Sequence, residues 1–368
     1  MRVAVPKETR PGEKRVALVP DIISKLTKAG LDVTIESGAG VAADFSDAQF
    51  AAAGATIREG DVTSDADVIL SVQPLTPPEI ALLKRGAITI SFLSPTMASD
   101  SIEAAVTAGI TALSLELVPR ISRAQSMDAL TSQALCAGYK AALVGAELSP
   151  RFFPLLMTAA GTVTPAKVVV LGAGVAGLQA IATSKRLGAV VSAYDVRPAS
   201  ADEVKSMGAK FISLELEALE GAGGYAREMT DDRAARQREL LTPYIAAANV
   251  LITTAAVPGR TAPRLVTAEM VAEMAPGSVV VDLAAESGGN VEGSKPGEIV
   301  VTSNGVRIWG GKDVPSQLAY HASMLYSRNV VNLLLLMVKE GIVVPNFEDE
   351  IIEAATVTMN GENRKGVK

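Results

Sequence analysis

The sequence predicts an α/β fold of two doubly wound parallel-sheet domains, the second inserted into a discontinuous first. Three observations predict it. Short apolar runs alternate with helical segments in the first third of the chain and again from Lys167, and such alternation implies parallel sheets. At 368 residues the chain is too long for one typical domain and comfortable for two. Its C-terminal part is apolar helix that needs a surface to cover it, and the first series of strands and helices offers one.

Arg2–Val5 reads as a short strand, residues 21–26 begin an amphipathic helix that Gly30 ends, and residues 31–35 alternate like a strand. Residues 67–72 form another strand, and Pro77-Pro78-Glu79 opens a helix because proline suits a first turn. Residues 87–92 are a strand, 101–108 a helix and 111–118 a β run. A long helix spans 128–148. The second series has strands at 168–171, 190–194, 210–212, 250–253 and 278–282, with 307–309 a shorter candidate. Residues 315–341 read as a long apolar helix, 348–359 as one more, and the polar tail after Asn360 as frayed. The expected domains are therefore 1–127 plus 316–368, and 128–315 with its connecting helix.

Composition narrows the function. Net charge is −6, and no Lys/Arg cluster offers a nucleic acid a basic face. A single cysteine, Cys136, forbids an intrachain disulfide and fits a reducing, cytoplasmic setting; in its helix it reads as a small core residue. The start, MRVAVPKETR, lacks the apolar core of a signal peptide. The longest apolar run, 330–338, is broken by Asn332 and is about half of the roughly 20 residues a span needs, so no direct membrane insertion is expected. No metal site is expected. His321 is the single histidine, and many dehydrogenases use histidine as general base. Among Leu318, Tyr320 and Leu325 it reads as a packed, hydrogen-bonded residue.

The apolar run 168–171 leads into Gly172-Ala173-Gly174-Val175-Ala176-Gly177, a G-x-G-x-x-G at the end of a strand and the start of a helix. Gly172 permits the tight turn, Gly174 lets a pyrophosphate approach the backbone, and Gly177 lets helix and strand pack closely. The helix N-terminus offers free N–H groups to phosphate. Asp195 ends the next strand, 21 residues beyond Gly174 and close to the ~20 expected for the acid that receives the adenosine ribose. Its carboxylate favours NAD(H) over NADP(H). Val196 and Arg197 follow at the same site, and Arg197 leaves some ambiguity. The second domain is thus a Rossmann NAD(H)-binding domain. Ala255 and Ala256, after the strand 250–253, are small enough to let a nucleotide approach, although Pro258-Gly259 also reads as a plain turn.

Three segments carry a resemblance. Val5-Pro6-Lys7-Glu8-Thr9-Arg10-Pro11-Gly12-Glu13-Lys14-Arg15-Val16-Ala17 is similar to the N-terminal signature of the alanine dehydrogenase/transhydrogenase family. Pro119-Arg120-Ile121-Ser122-Arg123-Ala124-Gln125-Ser126-Met127-Asp128 resembles the Arg/Gln/Asp loop of the NAD(H)-binding component (alpha subunit, domain I) of proton-translocating NAD(P) transhydrogenases. The stretch around Gly223-Gly224-Tyr225-Ala226 resembles that component's mobile loop. The resemblance implies catalytic roles for Arg120, Gln125 and Asp128, for Thr131 where the family has serine, and for Tyr225 with Gly224 as lid. An amide and a guanidinium suit a nicotinamide carboxamide and ribose hydroxyls. Asp128 also reads as a simple helix cap, and Tyr225 as a surface residue. Gln237 is a candidate to reach the ribose or the loop. Asp282 and Glu286 follow the next strand without an assigned role.

The resemblance also implies NADP(H) on a partner subunit, a membrane-spanning partner, a homodimer, and attachment to the inner face of the cell membrane through those partners. Its rival within the fold is an alanine dehydrogenase, which uses a lysine and a histidine on adjacent strand ends. The matching stretches here hold Gln73 and Ser94. Hydride transfer between two nicotinamides moves no proton at the reacting carbons, so it requires no acid–base residue and the lone histidine is no obstacle. A non-enzymatic NAD(H) sensor is the third reading.

Overall fold

The structure is a computed structural model and describes residues 1–94, 99–216, 230–257 and 259–365. Two compact units divide the chain: Met1–Gln133 with Pro315–Lys368, and Ala134–Val314.

The first unit is built on β1 (Arg2–Val5), β2 (Asp32–Glu36), β3 (Thr56–Arg58), β4 (Val68–Leu70), β5 (Ile88–Ser91) and β6 (Thr111–Ser114). They lie in the order β3-β2-β1-β4-β5-β6, all parallel. Val3, Val5, Val68 and Leu70 enter one core cluster, while Ala4 and Ile69 enter another. Both faces are covered, which is why these strands read as unbroken apolar runs. The helix Ala319–Leu335 contributes Tyr326, Val330, Val331, Leu333 and Leu334 to the first of those clusters.

The C-terminal region departs from the sequence reading in two places. The long helix begins only after a 3-10 turn at Val314–Leu318 and ends at Leu335, where a hairpin of Val338–Lys339 and Ile342–Val343 takes over. Its turn residues Glu340 and Gly341 both have positive φ, the signature of a tight hairpin that helical periodicity does not register. The last helix covers only Glu350–Ala355, and Thr356–Met359 is a strand antiparallel to β6. The β-branched run Thr356-Val357-Thr358 prefers that pleated, buried place, between β6 and the short strand Glu362–Asn363, to another helical turn.

The second unit carries β7 (Lys167–Leu171), β8 (Val190–Tyr194), β9 (Lys210–Phe211), β10 (Val250–Thr253), β11 (Val279–Asp282), β12 (Ile299–Val301) and β13 (Arg307–Gly310). Their order is β9-β8-β7-β10-β11-β13-β12, parallel except for β12. Val168 and Val170 face one cluster, and Val169 and Leu171 the other. In each unit the strand order reverses beside the first strand, between β1 and β4 and between β7 and β10. A doubly wound sheet binds its ligands beyond the carboxyl ends of such a strand pair.

Candidate functional site

At the end of β7 the three glycines stand in three different situations, and the fold requires two of them. Gly172 turns with φ +97, a left-handed conformation that a side chain resists. A Cβ on Gly177 would stand 1.8 Å from the Gly172 carbonyl oxygen, so the helix Val175–Arg186 returns onto the loop only because that atom is missing. Gly174 has extended backbone, and a Cβ there would meet nothing within 4 Å. The fold does not need a glycine at 174; open space above it does suit a close-lying pyrophosphate. Gly174 is also the N-cap and supplies no side-chain cap, which leaves first-turn N–H groups for an anion.

Asp195 ends beside this loop. Its Oδ2 accepts from the Ala173 N–H at 2.7 Å, which ties the end of β8 to the glycine turn. Among the described residues its other donors come from Arg197: the backbone N–H and Nε at 2.9 Å to Oδ1, and Nη2 at 3.0 Å to Oδ2. The carboxylate expected to receive the ribose is thus also an ion-pair partner.

Across the switch point, β10 supplies the opposite wall. Thr254 Oγ1 donates to the Gly172 carbonyl at 3.1 Å. Ala255 is held at both backbone groups by Asn290, whose Oδ1 accepts from its N–H at 3.0 Å and whose Nδ2 donates to its carbonyl at 2.8 Å. Asn290 is fully buried, and its own N–H reaches Asp282. Asp282 accepts from Thr253 Oγ1 and from the N–H groups of Ala284 and Val291 as well, so it braces the strand end. Ala256 is exposed. Glu286 accepts from the Asp313 N–H at 2.9 Å.

Gln237, a candidate for the ribose or the loop, is held by a neighbouring strand end. It is buried, and its Oε1 accepts from the Tyr194 hydroxyl at 2.9 Å, clamping the helix Asp231–Ala246 to the end of β8. Burial pushes the Tyr194 hydroxyl up to about 12, so it stays a donor. Gly224 and Tyr225 lie outside the described residues.

In the first unit Arg120 and Gln125 are exposed on the loop after β6. Asp128 is the cap of the helix Ala129–Leu148: its Oδ1 accepts from the Thr131 N–H at 2.8 Å and its Oδ2 from the Thr131 hydroxyl at 2.6 Å. The loop is fixed from below by Asn329 and Asn332, both donating to the Ser126 carbonyl, and at its edge by Arg123 against the Asp349 carboxylate. His321 is exposed, edge-on to Tyr320, rather than packed into the core; the buried face of its helix runs through Ala322 and Tyr326 instead.

The switch point of the first unit is filled by its own polar side chains. Glu8, after β1, accepts from the Val72 N–H at 2.5 Å and the Gln73 N–H at 3.3 Å, beyond β4. Glu13 forms a buried side-on pair with Arg15, Oε1 to Nε at 2.8 Å and Oε2 to Nη2 at 2.6 Å. Ser316 and Gln73 also donate to Glu13, and Arg15 reaches Gln133. Burial opposes ionisation of Glu13, but Arg15, Ser316 and Gln73 together bring it down to about 2.

Burial, with the Glu13 charge adding to it, pushes Glu8 up to about 7 against the lowering effect of the backbone donors and Arg15. The folded chain therefore keeps a proton on Glu8 that the unfolded chain, near 4.5, gives up. Its stabilising contribution is complete below pH 4.5 and is lost as pH rises to about 7. Urea denaturation of wild type and Glu8→Gln from pH 4 to 8 should show this: wild type loses stability relative to the variant across that window. A constant difference overturns it.

With this geometry in place, the relatives speak directly. Models described as "Alanine dehydrogenase/PNT, N-terminal domain" and "C-terminal domain" match residues 4–137 and 141–365. The chain belongs to the alanine dehydrogenase/PNT family. It is 48% identical to a Rhodospirillum rubrum protein named as the first part of NAD(P) transhydrogenase subunit alpha, covering 98% of this chain and 97% of that one. A solved transhydrogenase from Sinorhizobium meliloti superposes with a TM-score of 0.90 at 45% identity, over 99% of this chain and 100% of that chain. A Mycobacterium tuberculosis alanine dehydrogenase is more distant, at 34% over 80% of this chain and 76% of that one.

Within this alanine dehydrogenase/PNT chain, the two positions the amino-acid reading depends on are otherwise engaged. Gln73 accepts from Arg10 Nη1 at 2.7 Å and donates to Glu13 Oε2 at 2.6 Å, and exposed Ser94 donates its N–H to Glu116. Sequence reading missed Thr254, Asn290 and Gly138, which hold or make room for the glycine loop and the strand end beside it. Only Gly138 left a signal, a glycine in mid-helix where alanine is worth about 1 kcal/mol more.

Proposed function

We propose that this chain is the NAD(H)-binding subunit of a proton-translocating NAD(P) transhydrogenase. It holds NAD(H) and exchanges hydride with NADP(H) carried by a partner subunit, coupled to proton movement through a membrane-spanning partner. Gln73 carries the reading: tied between Arg10 and Glu13, it offers no cation to an amino-acid carboxylate, while the glycine cradle beside Gly174 stays open.

Bound NAD(H) supplies or accepts hydride at the nicotinamide, and the chain's task is to bind, orient and exclude water. Gly172, Gly174, Gly177 and the N–H groups of Val175 and Ala176 hold the pyrophosphate. Asp195, Val196 and Arg197 line the adenosine-ribose site, with the Asp195 carboxylate receiving the hydroxyls, and Ala255 and Ala256 leave the nucleotide room. Arg120, Gln125, Asp128 and Thr131 are assigned to the nicotinamide carboxamide and ribose hydroxyls, and Gly224 with Tyr225 to the cover.

The reading extends to a homodimer attached to the inner face of the cell membrane through its partners. Among the described residues no helix is long and apolar enough to cross a membrane. The apolar face of Ala319–Leu335 is spent inside its own unit, whereas Phe152, Leu155 and Met157 are exposed and available for a second copy.

The test mixes the chain with an NADP(H)-binding partner subunit and NADPH, and follows reduction of an NAD analogue. Transfer is expected only with all components present. Absence of transfer, or NADH formation from alanine and NAD by the chain alone, overturns the reading.

A further inference from the structure

Asp195 has no room left for a ribose. A carboxylate offers about four lone-pair positions, and here four donors take them: the N–H groups of Ala173 and Arg197, and Nε and Nη2 of Arg197. The two backbone donors are fixed by the fold. The two guanidinium donors come from a side chain that is 23% exposed, over a carboxylate that is 7% exposed.

We infer that the Arg197 guanidinium is a stand-in for the adenosine ribose, leaving Asp195 when a nucleotide enters and thereby setting both affinity and the choice between a 2′-hydroxyl and a 2′-phosphate. This rests on the NAD(H)-binding reading above. Two ribose hydroxyls replace the two side-chain donors in kind, so the backbone contacts that tie Asp195 to the glycine turn survive the exchange. The exchange lowers apparent affinity, because a nucleotide binds only the fraction of molecules in which the pair is open. It also weakens discrimination. A bare carboxylate repels a 2′-phosphate, but a carboxylate neutralised by Arg197 repels it less, and the released guanidinium pairs with phosphate side-on.

The experiment titrates the full-length chain, as wild type, Arg197→Ala and Arg197→Lys, with NADH and with NADPH, and records Tm of each. Removing a partly exposed pair should tighten NADH by about 5-fold in Arg197→Ala. NADPH should weaken, so that the ratio of the two Kd values widens by about ten-fold or more. Arg197→Lys should fall between, since one ammonium cannot make the side-on pair. Weaker NADH binding in Arg197→Ala at unchanged Tm would make the guanidinium a direct ligand and overturn the inference; so would unchanged affinities. Should Arg197→Ala fold poorly, the ratio in Arg197→Lys decides. If folded wild type takes up neither nucleotide, the NAD(H)-binding reading fails, and this inference with it.

Discussion

Gly138→Ala should weaken NADH binding more than ten-fold and lower Tm, although residue 138 lies in a helix far in sequence from the glycine loop. A Cβ at 138 would stand 2.0 Å from the Ala176 carbonyl oxygen and 2.8 Å from the Ala176 Cα. The obstacle is backbone, so no rotamer change relieves it. Alanine gains about 1 kcal/mol in helix propensity, but such overpacking costs about 1–3 kcal/mol or more. Relief must come from moving the first turn of Val175–Arg186, whose N–H groups are assigned to the pyrophosphate; a displacement of about 1 Å at such a site costs up to 100-fold. Gly174→Ala supplies the contrast. Its Cβ meets no protein atom within 4 Å, so Tm should hold while NADH binding falls. Titration calorimetry with thermal melts reads both. Full NADH affinity in Gly138→Ala would break the link between the two helices; full affinity in Gly174→Ala would remove the pyrophosphate from that spot.

Glu13→Gln should cost about 3–5 kcal/mol, the range for leaving one member of a buried pair uncompensated. The Glu13 carboxylate accepts from Arg15 at three nitrogens, and from Lys14, Gln73 and Ser316. An amide keeps the size of the group but sets an NH2 against other donors and leaves the Arg15 guanidinium buried without its counter-charge. Urea denaturation of Glu13→Gln, Arg15→Met and the double variant measures the pair. The double variant should be more stable than Glu13→Gln alone, because it removes the orphaned charge. Additive losses would mean that the two side chains are not coupled.

Most strands of the two sheets were legible because they are apolar runs buried on two faces; β3 (Thr56–Arg58) and β12 (Ile299–Val301), short, partly exposed edge strands, were not read. The glycine loop was legible because backbone chemistry at a strand–helix turn leaves little choice of residue. Asp195 was found from its spacing, but its pairing with Arg197 was not, since spacing says nothing about what else a carboxylate touches. Gln237 looked exposed on a polar helix and is buried, its Oε1 accepting from Tyr194. His321 looked buried among apolar neighbours and lies on the outer face of its helix. Thr356–Met359 looked helical by continuation, and pairing with β6 decided otherwise.

By itself the sequence determined the two α/β series, the dinucleotide fingerprint and the lack of charged receptors at residues 73 and 94, because these are carried by local periodicity and residue type. The tertiary structure alone decided that Glu8, Glu13, Arg15, Gln73 and Ser316 share one buried network, that Asn290 holds Ala255, and that Gly138 makes room for Ala176. Those are contacts between segments distant in sequence, and only chain folding brings their atoms within hydrogen-bonding or van der Waals reach.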